Sequence, residues 1–239
     1  MMTISLSDVS KRFNRDWIFR NFSYTFTSEH SYAITGPNGS GKSTLLQVIG
    51  GAIAMSEGEI KYEVRSTKYE VASIQISELQ SLNSGLRTQK SKTRIQNPVS
   101  NIPADLAYKY ISIAAPYLEV VEEMTAIEFL EFHRKFKPLL PGCTVLEILS
   151  TIGLEEAARK QIRFYSSGMK QRIKLAQAIF SDTPCILLDE PCTNLDSEGI
   201  ELYRRMIDAY CKGRLVIVSS NDIAEYSFCE QKISVLDYK

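Results

Sequence analysis

Residues 36–44 spell Gly36-Pro37-Asn38-Gly39-Ser40-Gly41-Lys42-Ser43-Thr44, a complete G-x-x-x-x-G-K-[ST] phosphate-binding loop. Ser31-Tyr32-Ala33-Ile34-Thr35 ahead of it has the composition of a short buried strand. Leu45-Leu46-Gln47-Val48-Ile49 behind it has that of an apolar helix. Strand, loop and helix in that order are the setting such a loop needs, and an ordinary Gly-rich turn lacks it. Gly36, Gly39 and Gly41 let the backbone turn tightly, so that consecutive N–H groups converge on one phosphate group. The helix that starts at the loop's end aims its positive pole at the same anion. Lys42 is placed to reach the β- and γ-phosphates of a nucleotide, and the Ser43 hydroxyl to ligate Mg²⁺.

The rest of the composition sets bounds. A chain of 239 residues is long enough for one large core, with room for a satellite subdomain. Lys plus Arg and Asp plus Glu are both 28, a balance that gives no support to bulk nucleic-acid binding. No apolar run approaches the ~18 residues of a membrane-spanning helix. The N-terminus has neither a basic flank nor a long apolar segment, which predicts no signal peptide. The 5 cysteines show no C-x-x-C spacing and fit free thiols in a reducing cytosol.

Working outward, residues 3–9 alternate like a strand with one buried face, and Phe22, Tyr24 and Phe26 repeat that period. Phe13 and Trp17 lie between them; either could stack on adenine, or pack at a strand end. Gly50-Gly51 stops the first helix, Ser56-Glu57-Gly58 turns, and residues 59–64 alternate again. Residues 65–107 are Ser-, Gln- and Asn-rich and lack a clear period. They carry a basic cluster, Arg87, Lys90, Lys92 and Arg94, suited to an anionic lipid surface or an acidic partner, or simply to water.

Ile111-Ser112-Ile113-Ala114-Ala115 is a small-residue strand ending at Pro116. Thr125-Ala126-Ile127-Glu128 and Thr144-Val145-Leu146-Glu147 both fit the capping box. Residues 118–164 therefore form a compact helical subdomain, punctuated by Pro138, Pro141 and Gly142. Tyr165 to Arg172 opens a further helix. Cys185-Ile186-Leu187-Leu188-Asp189-Glu190-Pro191 is a buried strand ending in two carboxylates. Leu215–Val218 is another, running into Ser219-Ser220-Asn221-Asp222, and Ile233–Leu236 closes the chain. Strands alternating with helices predict an α/β fold with a mostly parallel sheet covered on both faces. Beside a phosphate loop, Asp189 is suited to holding Mg²⁺ and Glu190 to orienting and polarising the attacking water.

Residues 36–44, Tyr165 to Arg172, Cys185 to Pro191 and Thr193-Asn194-Leu195-Asp196, in that order, resemble the ATP-binding cassette (ABC) ATPase family. The resemblance covers nearly the whole chain. It implies one domain over residues 1–239: a P-loop NTPase core (1–117 and 165–239) with an N-terminal antiparallel β part, the helical subdomain 118–164 and an irregular insertion at 65–107. Tyr165 to Arg172 is similar to the family's signature, otherwise Leu-Ser-Gly-Gly-Gln-Gln-Gln-Arg. Ser166 and Gly168 are kept, while Ser167 replaces a glycine and Met169 a glutamine. The resemblance implies that the signature of one subunit closes over the γ-phosphate held by the other, so that two ATP molecules are sandwiched in a head-to-tail homodimer. It implies a D-loop role across that interface for Asp196, and adenine stacking for Phe13 in preference to Trp17.

Two positions depart from the family's pattern. Where it usually has a glutamine that touches Mg²⁺ and senses the transporter, Tyr117 is the nearest match. Where it has a switch histidine, Asn221 stands; its amide still donates to a γ-phosphate oxygen but carries no charge, which predicts slower turnover. Cys192 could serve as a redox-sensing thiol, but with no flanking cation it reads rather as a plain small side chain. The resemblance thus implies a Mg²⁺-dependent ATPase subunit on the cytoplasmic face of a membrane, working through separately encoded membrane subunits. The Tyr-Ser-Ser-Gly-Met-Lys signature, similar to those of exporter-type ATPases, favours export. The rival readings are a soluble ATP-dependent switch of the same fold and a regulatory nucleotide-binding module that hydrolyses weakly.

Overall fold

The computed structural model describes residues 1–65 and 99–239, so the basic cluster from Arg87 to Arg94 lies outside the described residues. The chain opens with a long hairpin, β1 (Met2–Phe13) and β2 (Asp16–Thr27). Asn14, at φ 54°, makes its tip, a left-handed position that asparagine tolerates. Phe13 and Trp17 therefore stand on strands rather than between them: Arg12 pairs with Trp17, and Phe13 with Asp16. Ile4 and Leu6 of β1 and Phe22 and Phe26 of β2 point into the core, as their alternation predicts.

β3 (Ser31–Thr35) runs into the phosphate loop, and α1 (Lys42–Ile49) leaves it, ending at Gly50. β4 (Glu57–Arg65) and β5 (Val99–Ile102) complete an antiparallel sheet in the order β2-β1-β4-β5. β5 falls within a stretch that composition marks as irregular. It forms because β4 offers it a free edge, with Tyr62 opposite Ile102 and Val64 opposite Ser100. A 3-10 turn at Ala104–Lys109 then leads to β6 (Ile111–Ala114).

The second sheet is parallel throughout. It joins β6, β7 (Cys185–Asp189), β8 (Leu215–Ser219), β3 and β9 (Gln231–Ser234), in the order β6-β7-β8-β3-β9. Its central strands serve two cores at once. Ile186, Leu188, Val216 and Val218 enter one apolar cluster; Cys185, Leu187, Leu215 and Ile217 enter the other. That is why these strands read as unbroken apolar runs. The last strand sits earlier than its apolar pattern predicts. The Ser234 hydroxyl accepts the Leu236 N–H at 3.3 Å and turns Val235–Tyr238 into a 3-10 helix.

The helical part carries α2 (Ala126–His133) and α3 (Val145–Thr151). Both predicted capping boxes are present: Thr125 and Thr144 each bond the third helical N–H, and Glu128 and Glu147 return the bond. Phe129, Leu130, Ile148 and Leu149 share a core with Ile173 of α4 (Ser167–Ile179) and with Phe180, which caps its end. α5 (Ser197–Tyr210) and the short α6 (Ile223–Tyr226) flank β8 in the sequence. No helix among the described residues is long and apolar enough to cross a membrane.

Candidate nucleotide site

The site is organised on β8. Ser219, its last residue, pairs with Asp189 of β7 on one side and Ile34 of β3 on the other. The carboxyl ends of these three strands thus deliver the phosphate loop, Asp189-Glu190 and Ser220-Asn221 to one edge of the sheet. That edge is where open parallel sheets bind ligands.

The loop is a cradle shaped by glycines. Gly39 and Gly41 have φ 77° and 101°, and a Cβ at Gly41 would run into the side chain of Ile18. No side chain caps α1, so its first N–H groups are open to an anion. Lys42 is only 4 % exposed. Its Nζ donates to the carbonyls of Gly36 at 2.9 Å and Pro37 at 3.3 Å, and no carboxylate pairs with it among the described residues. A buried ammonium without a close ion-pair partner is costly, and a phosphate would supply one.

Asp189 is 1 % exposed. Burial raises its carboxyl pKa; the Ser43 and Ser219 hydroxyls and the Lys42 charge pull it back, while the Glu190 charge adds to the rise. Those hydroxyls lie near the carboxylate without completing a hydrogen bond to Oδ1, which has no partner among the described residues. Ser40 Oγ and Ser219 Oγ are likewise unpartnered. Buried polar atoms are almost always paired, so orphans in the phosphate loop and at the ends of the two adjoining strands β7 and β8 fit a site that takes a polar ligand. Asp189 and Ser43 offer hard oxygen ligands of the kind Mg²⁺ takes, next to a loop that takes the phosphates. The residues present fit Mg²⁺ and a nucleotide.

Glu190 shares the cleft with Lys42, Ser43, Thr44 and Asn38. Its backbone sits at φ 42°, a conformation that costs on the order of 1–3 kcal/mol and persists only where the surroundings enforce it. Asn221 meets the loop directly: its Nδ2 donates to Asn38 Oδ1 at 2.6 Å. Tyr117 also reaches this region. Burial pushes its phenol up to about 12, with the Asp189 charge adding to the rise and a bond to Gln47 opposing it.

The structure keeps the signature apart from the phosphate loop. Ser166 caps α4, its hydroxyl accepting the Met169 N–H at 3.2 Å. Asp196 caps α5 through the Gly199 N–H at 2.8 Å, and the Arg172 guanidinium lies 3.7 Å from it. Ser166, Ser167, Gly168, Met169, Arg172 and Asp196 line a cleft of their own. Phe13 is 47 % exposed at the hairpin end, with Lys11 Nζ 4.8 Å from its ring centre, and it is not part of the phosphate cleft's wall. Ile18 is part of that wall, and sequence reasoning missed it: nothing in its residue type marks it, only the register of β2 against the loop. Cys192 is buried and its thiol is pushed up to about 12 by burial, with Glu225 and Asp222 adding to the rise, which leaves it an inert small side chain.

A phosphate loop between strand and helix, beside an apolar strand ending in Asp-Glu, defines the P-loop nucleotide-binding fold. The ABC transporter family model matches residues 19–193, and the chain belongs to that family. It is 25 % identical over 219 residues to the uncharacterised ABC transporter ATP-binding protein YybJ of Bacillus subtilis, covering 91 % of this chain and 85 % of the relative. It is 24 % identical over 223 residues to the lantibiotic transport ATP-binding protein SrtF of Streptococcus pyogenes, covering 93 % and 81 %. Its fold matches the dimeric ATP-binding cassette MJ0796 bound to ADP and Pi, with a TM-score of 0.70 at 24 % identity over 97 % of this chain and 93 % of that one.

Proposed function

We propose that the chain is the Mg²⁺-dependent ATP-hydrolysing subunit of an ABC transporter, active as a head-to-tail homodimer on separately encoded membrane subunits at the cytoplasmic face. The observation that carries this reading is the pairing of two unmet demands where the phosphate loop meets the end of β7. Among the described residues, Lys42 is a buried cation in no ion pair, and Asp189 Oδ1 is a buried acceptor with no completed hydrogen bond.

Bound ATP would draw Lys42 from the Gly36 and Pro37 carbonyls onto the β- and γ-phosphates, while the loop N–H groups take the remaining oxygens. Ser43 and Asp189 would hold Mg²⁺, which supplies neutralisation of phosphate charge when bound. Glu190 orients the attacking water and accepts its proton. Asn221 moves its amide from Asn38 to a γ-phosphate oxygen. Ser166 and Gly168 of a second copy close the other side, which accounts for a signature cleft that holds no phosphate loop of its own. Closure on ATP and reopening after hydrolysis would drive transport. Export is supported by the signature's likeness to exporter-type ATPases.

A second reading, a nucleotide-binding module that hydrolyses weakly, draws on Asn221 and Tyr117, neither of which is the family's usual residue. A Mg²⁺-ATPase assay separates the two. The transporter reading expects Glu190→Gln to lower kcat by about a hundredfold or more with ATP binding retained. Equal rates for wild type and Glu190→Gln would overturn it. Affinity purification of the tagged chain from detergent-solubilised membranes should bring down a multi-span membrane protein; a soluble partner alone would favour the ATP-dependent switch.

A further inference from the structure

The turn that carries Glu190 is held by a buried carboxylate to which the chemistry above gives no part. Glu225, on α6, is 5 % exposed. Its Oε1 accepts the Cys192 N–H at 2.6 Å. Its own backbone carbonyl accepts the Tyr203 hydroxyl at 2.9 Å, which seats α6 on α5.

Glu190 needs such support, since its left-handed backbone is not one a glutamate prefers. Its N–H donates to Ser219 O at 2.9 Å, and its carbonyl accepts the Thr193 N–H at 3.1 Å. Between these two, Gln171 of α4 donates from Nε2 to Pro191 O at 2.7 Å, and Glu225 of α6 accepts the Cys192 N–H. The turn is therefore held by two helices, the one that carries the signature and the one that follows Asn221.

The Glu225 clamp also links two parts of the site. α6 begins directly after Asn221, with Asp222 as its cap: Asp222 Oδ1 accepts the Ala224 N–H at 2.8 Å. Asn38, Glu190, Asn221 and Glu225 border one cleft. Burial raises the Glu225 carboxyl's pKa, with the Asp222 and Glu190 charges adding to the rise; the Ser220 hydroxyl and the Cys192 N–H act against it. An apolar side chain there would leave the Cys192 N–H buried without a partner.

We propose that Glu225 is a positioning residue for ATP hydrolysis. By holding the Cys192 N–H it fixes the direction in which Glu190 faces the phosphate cleft, and it makes that direction follow the position of Asn221. The inference rests on the hydrolytic reading of Glu190 above.

The test measures kcat, KM for ATP and thermal midpoint on the full chain with Mg²⁺, for wild type and four variants. Glu225→Leu is expected to lower kcat by about tenfold to a hundredfold with KM for ATP within about threefold of wild type. Should the leucine variant not fold, Glu225→Met, flexible and without a good acceptor, carries the same expectation. Glu225→Gln keeps an oxygen for the Cys192 N–H and should hold kcat within about threefold of wild type. Tyr203→Phe removes the other anchor of α6; it should lower the thermal midpoint while leaving kcat within about twofold. Wild-type kcat in the apolar variants would overturn the proposal. So would parallel loss of kcat and ATP affinity, a glutamine variant no better than leucine, or an equal kcat loss in Tyr203→Phe. Glu190→Gln, run alongside, separates the two levels. If Glu190→Gln is inactive while Glu225→Leu turns over normally, this inference alone fails. If Glu190→Gln turns over like wild type, the hydrolytic reading fails and takes the inference with it.

Discussion

Asn221 Nδ2 donates to Asn38 Oδ1 at 2.6 Å, joining the segment after β8 to the phosphate loop across 183 residues of chain. The bond holds a neutral donor at the rim of the cleft, where a γ-phosphate oxygen would compete with Asn38 for it. A charged donor at that place would bond the phosphate about twice as strongly. Asn221→His is therefore expected to raise kcat by about fivefold, equivalent to about 1 kcal/mol of transition-state stabilisation. Steady-state ATPase kinetics at a pH where the imidazole is protonated check this, and an unchanged or lower rate contradicts it.

Asp189 lies under the cleft with Oδ1 unpartnered, so its replacement should be felt through the metal. Asp189→Asn keeps the shape but loses the charge. It should raise the Mg²⁺ concentration for half-maximal turnover by about tenfold or more. Titration of Mg²⁺ at saturating ATP measures this directly; an unaltered Mg²⁺ dependence would remove Asp189 from the metal site.

The helical subdomain should be acid-sensitive. Burial lowers the His133 pKa from its ordinary 6.5 to about 4, and the Lys137 charge adds to the effect. The ring meets the Ser181 hydroxyl at 2.8 Å and the Gln177 amide at 3.1 Å. Between pH 6.5 and 4 the unfolded chain binds a proton here that the folded chain resists. Stability therefore falls as pH drops through that window, by on the order of 2 kcal/mol from this group. Glu128 and Glu147, whose pKa values are lowered by their capping bonds, act in the same direction at lower pH. Thermal melts across this range should show the midpoint falling, and His133→Gln should flatten the upper part of the curve. A wild-type midpoint that does not move would contradict the burial of a neutral ring.

The separation of the signature cleft from the phosphate cleft makes a prediction about mixtures. Lys42→Ala disables one half-site of a chain and Gly168→Asp the other; a Cβ at Gly168 already comes 3.1 Å from Asn194 O. Each variant alone should be inactive. In a head-to-tail dimer an equal mixture regains one intact site per mixed dimer, about one quarter of wild-type turnover. No recovery on mixing would mean that the two clefts do not meet across a dimer.

Much of this was legible in the sequence because it is local. The phosphate loop, the apolar strand ending in Asp189-Glu190 and the capping boxes at Thr125 and Thr144 are patterns within a few residues of chain, and the structure contains each. What escaped depends on distant partners. Ile18 borders the cleft only because β2 passes under Gly41. Gln171 and Glu225 find Pro191 and Cys192 only when three elements pack. β5 exists because β4 leaves an edge to pair, which composition cannot show. The early end of β9 follows from one serine cap rather than from apolar pattern.

The central claim is that two copies close on ATP. The most direct measurement is the mass in solution of Glu190→Gln, by light scattering or sedimentation, with and without Mg²⁺-ATP. The account predicts conversion from monomer to dimer on adding Mg²⁺-ATP, abolished by Gly168→Asp in the same chain. A Glu190→Gln protein that binds ATP at saturation and stays monomeric, at concentrations well above those of a transporter's subunits, would contradict it.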